Sequence, residues 1–425
     1  MRPERRRIVL TRPFKAIRPA CNIAHEVAAL PYDVYTRQEA KAAVSGHPLS
    51  FLNIDRPETQ VDIDADMYAP EVYDIAKALF EQAKRDGVFI QEEKPCYYLY
   101  ELVQGGRSQT GIVACCSIDD YDANVIKKHE HTLEEKEQDR VHHIMALDAQ
   151  TGPIFLAYRD TEALREVMFH VKTSAPFYDF TTDDGVVHRM WRVADEAYIQ
   201  AITQGFSDVS CAYIADGHHR CASAVRVGKA KRVQAESTGE STHGDNEYDT
   251  FMSVLFPESE LYIMPYNRVV YGLNGLSKDA FLYKLTQVYD IIHVQETPLE
   301  PLDKGALAMY LDGQWYGLGV REMYMTDDVV DGLDVSILQT HILGPLLGID
   351  NPRTNQRIQF VGGIHPIDEL QHYVDSASED SVAFVMFPPT MNDLMRVADA
   401  GEVMPPKSTW FEPKLRSGLC IHALA

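Results

Sequence analysis

Apolar residues recur along this chain in two rhythms, one helical and one of strand type. From Pro70 to Asp86 (PEVYDIAKALFEQAKRD) they return at helical spacing behind a proline and stop at Gly87, which predicts an amphipathic helix. Tyr97 to Leu102 and Gly111 to Ile118 are near-continuous apolar runs parted by Gly105-Gly106, and they predict a hairpin. Pro153 to Tyr158, Cys211 to Ala215 and Thr250 to Phe256 read as further strands, the last halted by Pro257 with Leu261 to Met264 beyond. Cys221 to Val227 is small and helix-compatible, whereas Lys229 to Asn246, rich in Ser, Thr, Gly and charge, reads as a surface excursion. In the last third, Val335 to Leu347 and Asn392 to Ala400 are predicted helices, and Ile358 to Val361 and Val382 to Phe387 are strands. Interleaved strands and helices predict a mixed α/β, α+β core. Shifts in composition divide the chain into regions 1–120, 121–275 and 276–425.

Charge narrows the function classes. The 40 Lys and Arg residues face 63 Asp and Glu, a formal net charge of -23, which argues against a nucleic-acid partner. No run approaches a membrane span, and the basic start Arg2 to Arg7 is followed only by Ile8-Val9-Leu10, too short for a secretory leader. Seven cysteines without paired spacing or a CxxC read as reduced thiols of a cytoplasmic protein, with no zinc or other metal site expected. The GxxxxGK[ST], GxGxxG, GxSxG and HExxH patterns are absent.

The strongest local signal is Asp216-Gly217-His218-His219-Arg220, set where a strand hands over to a helix. Glycine lets a ligand approach the backbone, the helix start offers unpaired amides, and Arg220 adds a fork of donors suited to phosphate. His218, His219 and Asp216 are candidates for acid/base work, or Asp216 for holding magnesium between phosphates; the plain alternative is a capped helix with exposed histidines. A second cluster runs Lys127-Lys128-His129-Glu130-His131, then Lys136, Arg140 and His142-His143. If Leu133 onward is helical, Lys136, Arg140 and His143 share one face, which either holds phosphates or is simply a solvated, salt-bridged surface. Asp33 in Pro31-Tyr32-Asp33-Val34 sits either at a pocket edge or in a turn. Lys407 and Lys414 flank the aromatics of a Pro-rich tail that either closes over a nucleotide or packs as a strap.

Six ordered segments carry a resemblance: Arg12 to Pro19 (RPFKAIRP), Pro31 to Val34, Leu49 to Ile54 (LSFLNI), His129-Glu130 through Arg140, Ala215 to Arg220, and Pro405 to Leu415. Together they resemble a large bacterial family often labelled ParB-like or SpoOJ-like. The Asp-Gly-His-His-Arg element is similar to the phosphate-binding turn of the ParB and sulfiredoxin superfamily, which includes free serine kinases. The resemblance implies Gly217, His218, His219 and Arg220 on phosphates, with Asp216 as a polar or metal-linked partner; in a phosphoryl transfer, Asp216 or Glu130 is expected to accept the hydroxyl proton and His129, Lys128 and Arg140 to hold charge. Sulfiredoxin carries a nucleophilic cysteine within its turn; here histidine holds that place and Cys221 follows the arginine, so sulfinic-acid repair is not implied. The expectation is phosphoryl transfer between a nucleotide, ATP or ADP with Mg2+, and a small hydroxylated metabolite, serine being favoured. A phosphoserine phosphatase and a non-catalytic nucleotide-binding switch are the alternatives.

Overall fold

In the computed structural model, which describes residues 8–239 and 246–425, the apolar runs of the first half pair into a nine-stranded sheet. Its strands are β1 (Thr11–Arg12), β2 (Tyr97–Gln104), β3 (Arg107–Ser117), β4 (Ile126–Lys127), β5 (Ile154–Tyr158), β6 (Tyr178–Thr181), β7 (Val187–Val193), β8 (Ala212–Asp216) and β9 (Thr250–Pro257). They lie in the order β4-β8-β5-β9-β3-β2-β7-β6, with β1 added to β3. Only β8 with β4 and β9 with β5 are parallel. The β2–β3 hairpin closes from Gln104 to Arg107 through Gly105 and Gly106 at φ of 58° and 81°, the paired positive values that a two-residue hairpin turn demands.

The chain divides into two units, the first built from residues up to Leu261 together with Pro413–Ala425, the second from Tyr262–Glu412. Strands on both sides of residue 120, and up to Pro257, belong to the one sheet of the first unit. Its longer helices are α1 (Pro70–Arg85), α2 (Glu134–Leu147), α3 (Glu162–Lys172), α4 (Glu196–Phe206) and α5 (His218–Thr238). Leu164 and Met168 of α3, Ile202 and Phe206 of α4, and Ala224 and Val225 of α5 share a core with Leu99, Ile112, Leu156 and Leu255 of the sheet. A second core joins Ala76 and Phe80 of α1 to Leu147 of α2, to Phe51, Leu52 and Ile54, and to Ile421 of the returning C-terminal segment. That segment is threaded tightly: Gly418, at φ 86°, leaves no room for a side chain because a Cβ there would meet Phe51 at 2.6 Å.

Two sequence expectations change. Lys229 to Thr238 forms the last turns of α5 instead of a surface excursion, because strong helix formers there are tied down by Arg232, which pairs with Asp119 and Asp249. Gly239 at φ 77° ends the helix, and the rest of the excursion up to residue 245 lies outside the described residues. Val335 to Leu347 is not one regular helix: Asp334–Leu338 is α-helical and Gln339–Leu343 widens to a π-helix. Pro345 lacks an N–H and crowds the carbonyl four residues back, so Gly344 bonds Gln339 instead.

The second unit is an antiparallel six-stranded sheet of β10 (Tyr266–Val270), β11 (Tyr289–Gln295), β12 (Ala306–Leu311), β13 (Gln314–Val320), β14 (Ile358–Gly362) and β15 (Val382–Met386), ordered β11-β13-β12-β15-β10-β14. Leu370 and Val374 of α6 (Ile367–Asp375) pack on Val269, Tyr310, Trp315 and Ala383 of this sheet. No described helix is long and apolar enough to cross a membrane.

The tightest sheet position of the first unit is Gly111, where a Cβ would lie 2.6 Å from Val254 Cγ1 and 2.9 Å from Phe256 Cζ. Gly111→Ala is expected to cost about 1–3 kcal/mol through overpacking. Urea unfolding should show a lower midpoint with an unchanged slope.

Candidate active site

The turn that joins β8 to α5 is shaped by two backbone departures. A bulge between Ile214 and Asp216 disturbs the pairing of β8 with β5, which re-aims the last side chain of the strand. Gly217 then adopts φ 89° and starts α5 with no side chain capping it, leaving the first-turn amides to an outside acceptor. Arg220, only 6% exposed, folds back over this start: a Cβ on Gly217 would meet its guanidinium carbon at 3.0 Å, and one on Gly152 would meet its Cδ at 3.3 Å. Its Nη1 donates to the carbonyl of Pro153 and its Nη2 lies 3.4 Å from Asp216 Oδ2. Nε has no partner. Asp216 accepts from the Gly217 amide at 2.9 Å and meets Lys414 Nζ at 3.4 Å. Burial pushes the Asp216 carboxyl up, but Lys414, Arg220 and the Gly217 amide outweigh it and hold the carboxyl well below the usual range.

Facing this turn is α2. Its buried stripe, Arg140, His143, Ile144 and Leu147, has core spacing, yet its first two members are polar. Arg140 holds Asp139 with Nε and Nη2 at 2.9 and 2.8 Å, lies 4.0 Å over the ring of Tyr32 and reaches Asp55 Oδ1 at 3.7 Å. His143 Nε2 donates to the carbonyl of Ile54 at 2.9 Å. Asp55 closes the short helix Leu52–Asp55, is 2% exposed, and accepts from Thr151 Oγ1 at 2.9 Å while its Oδ2 has no partner. Tyr32, Asp55, Arg140, His143, Thr151, Gly152 and Arg220 line one cavity of about 30 Å³, room for a group the size of one or two waters.

The fold thus gathers Asp216, Gly217, Arg220, Arg140 and Lys414 around one place. Asp33 is exposed, yet its charge, with those of Asp216 and Asp55, helps hold Arg220 protonated against burial. Lys128 lies 3.9 Å over the ring of Tyr121 and does not line the cavity. Lys407 belongs to the second unit, where its ammonium sits 5.5 Å from the ring of Tyr266. Asp55 and Thr151-Gly152 were not singled out from sequence; the signals were an Asp directly after the Leu49 to Ile54 segment and a polar Thr-Gly-Pro opening β5. Among the described residues, no group of three or more His, Cys, Asp or Glu side chains is placed to hold a metal ion.

The histidines are neutral donors. The ring of His129 meets that of His218 edge to face at 4.5 Å, and the His129 amide donates to His218 Nε2 at 3.5 Å. Glu130 Oε2 lies 3.9 Å from His218 Nδ1, and the Leu133 amide donates to His219 Nε2 at 3.0 Å. With Nε2 accepting, the rings of His218 and His219 carry their protons on Nδ1. Burial lowers His129 to about 4, and burial with neighbouring charge lowers His218 and His219 as well. Unfolded histidines bind protons below about pH 6.5, so the stability of the native protein is expected to fall as pH drops from 6.5 toward 4. The loss should be smaller in His129→Asn, as urea unfolding across that pH range would register.

Comparison with known proteins gives one sequence family and several remote folds. No curated protein matches the sequence. Solved structures with some likeness include a mutant free serine kinase in complex with ADP, at 13% identity and a TM-score of 0.34, covering 71% of this chain and 87% of that one. SbnI with C-terminal truncation from Staphylococcus aureus matches at 13% identity and a TM-score of 0.34 over 71% and 82% of the two chains. A conserved hypothetical protein from Pyrococcus furiosus matches at 13% identity and a TM-score of 0.32 over 72% and 93%. Likeness at that distance carries no residue roles across. The sequence itself matches, over residues 11–336, the family described as Protein of unknown function (DUF1015), and the chain belongs to that family.

Proposed function

We propose that the first unit binds the phosphates of a nucleotide at Asp216–Arg220 and moves a phosphoryl group to a small hydroxylated metabolite, with serine the favoured acceptor. The observation that carries the reading is the buried, unpartnered Nε of Arg220 beside an uncapped helix start. A buried donor without an acceptor costs about 1–3 kcal/mol, and a phosphate oxygen removes that cost. The turn is of the kind the ParB and sulfiredoxin superfamily uses for phosphate, which is consistent with that role.

Phosphoryl transfer asks a protein chiefly to position reactants and neutralise charge. Arg220, Lys414, Arg140 and the amides at the start of α5 supply fixed positive character. The Nδ1–H of His219 adds a neutral donor. Asp216, held ionised by its cationic neighbours, keeps Arg220 and Lys414 in place. Glu130, half-buried beside His218, is the carboxylate suited to accept the hydroxyl proton. Magnesium would arrive on the nucleotide and would offset part of the phosphate charge, with Asp216 the carboxylate of the turn that would hold it.

Phosphorus NMR with magnesium and ATP plus serine, ADP plus serine, phosphoserine plus AMP, or phosphoserine alone tests this directly. Phosphoserine is expected to form only with a nucleotide, or to disappear only with AMP. Arg220→Ala, folded by circular dichroism, should lower the rate at least about 100-fold. Free phosphate from phosphoserine alone would make the site a hydrolase, and four unchanged tubes would overturn serine chemistry.

A further inference from the structure

Building on the phosphoryl-transfer reading, we infer that Asp55 receives the cationic end of the acceptor, so that the site selects a metabolite bearing a primary ammonium. Asp55 is fixed before any ligand arrives. Its Oδ1 takes the Thr151 hydroxyl at 2.9 Å, and its backbone carbonyl takes Arg140 Nη1 at 3.3 Å. The other carboxylate oxygen, Oδ2, is buried and unpartnered. Since the residue is 2% exposed, bulk water does not solvate that oxygen, and a donor from a ligand gains the full value of the missing bond.

The pairing of charges says which donor. Arg140 is committed to Asp139 through two contacts of 2.9 and 2.8 Å, and reaches Asp55 only at 3.7 Å. Arg220 and Lys414 both meet Asp216. His143, 4.0 Å from Asp55 Oδ1, has its pKa lowered by burial and by Arg140, and Nε2 already serves Ile54. Asp55 is therefore a buried carboxylate whose ion pair, with Arg140 at 3.7 Å, is long and made by a guanidinium already bonded to Asp139. A cradle for phosphate alone would carry surplus positive charge; this one places Asp55 and Arg220, each with one buried polar atom unpaired, among the residues that line one cavity. That arrangement is complementary to a ligand with negative charge at one end and an ammonium at the other, and the space of about 30 Å³ between the walls suits an ammonium group.

Calorimetric titration of the full chain with matched ligand pairs tests the inference. The pairs are L-serine with 3-hydroxypropanoate, O-phospho-L-serine with 3-phosphoglycerate, and ethanolamine with ethylene glycol, each in the presence of ADP. At least one ammonium-bearing member is expected to bind about tenfold or more tighter than its partner. Asp55→Asn, checked by its thermal midpoint, should abolish that preference. Equal binding within every pair, no binding of any ammonium-bearing member, or an undiminished preference in Asp55→Asn would overturn the inference. If Asp55→Asn does not fold, the wild-type pairs decide the question alone. Failure of ADP itself to bind the wild-type protein would instead sink the nucleotide reading.

Discussion

A guanidinium cannot be buried without partners, and the surroundings of Arg220 are organised by that requirement. Pro153 supplies a carbonyl, Asp216 a carboxylate, and Gly152 and Gly217 give up their side chains so that the guanidinium can lie between them. The partners come from three parts of the first unit: the end of β8, the start of α5 and the loop before β5. The returning C-terminal segment adds Lys414 to Asp216 and presses Gly418 on Phe51, four residues before Asp55. What this assembly withholds is a partner for Nε, a buried donor left open in the structure.

The same cluster separates fixed from titratable charge. Arginine, lysine and low-lying carboxylates carry the electrostatics, while the histidines are kept neutral by burial and by cations nearby. Charge at the site is thereby insensitive to pH near neutrality, and the imidazoles act as directional N–H donors. Burying so many ionisable groups is expensive unless each is paired. The buried polar atoms left without a partner here include Arg220 Nε, Asp55 Oδ2 and His129 Nδ1, and Arg220 and Asp55 both line a single cavity.

Periodicity made the fold class and most elements legible. The helix at Pro70 and the hairpin at Gly105-Gly106 follow from local rules of proline, glycine and apolar spacing, and they formed where those rules put them. The turn at Asp216 was also legible, since strand, glycine and helix are adjacent in sequence. Asp55 was not, because its meaning arises from Arg140 and Thr151, 85 and 96 residues away. The face of α2 bearing Arg140 and His143 read equally as solvated surface until packing buried it. Lys229 to Thr238 misled in the opposite sense: polar composition suggested a loop, whereas ion pairs from Arg232 hold it as helix. Local chemistry is written in local sequence, and partnerships across the fold are not.

Arg220 holds a buried Nε–H with no protein acceptor, the donor proposed to meet an anionic ligand. Its resonance in nitrogen-15 arginine-labelled protein can be followed by NMR as ADP is added, with Arg220→Lys used to assign it. A saturable downfield shift and slowed solvent exchange of that proton are expected, while the Nε–H of Arg140, already bonded to Asp139, changes little. An Arg220 signal that stays still while ADP binds would contradict that role.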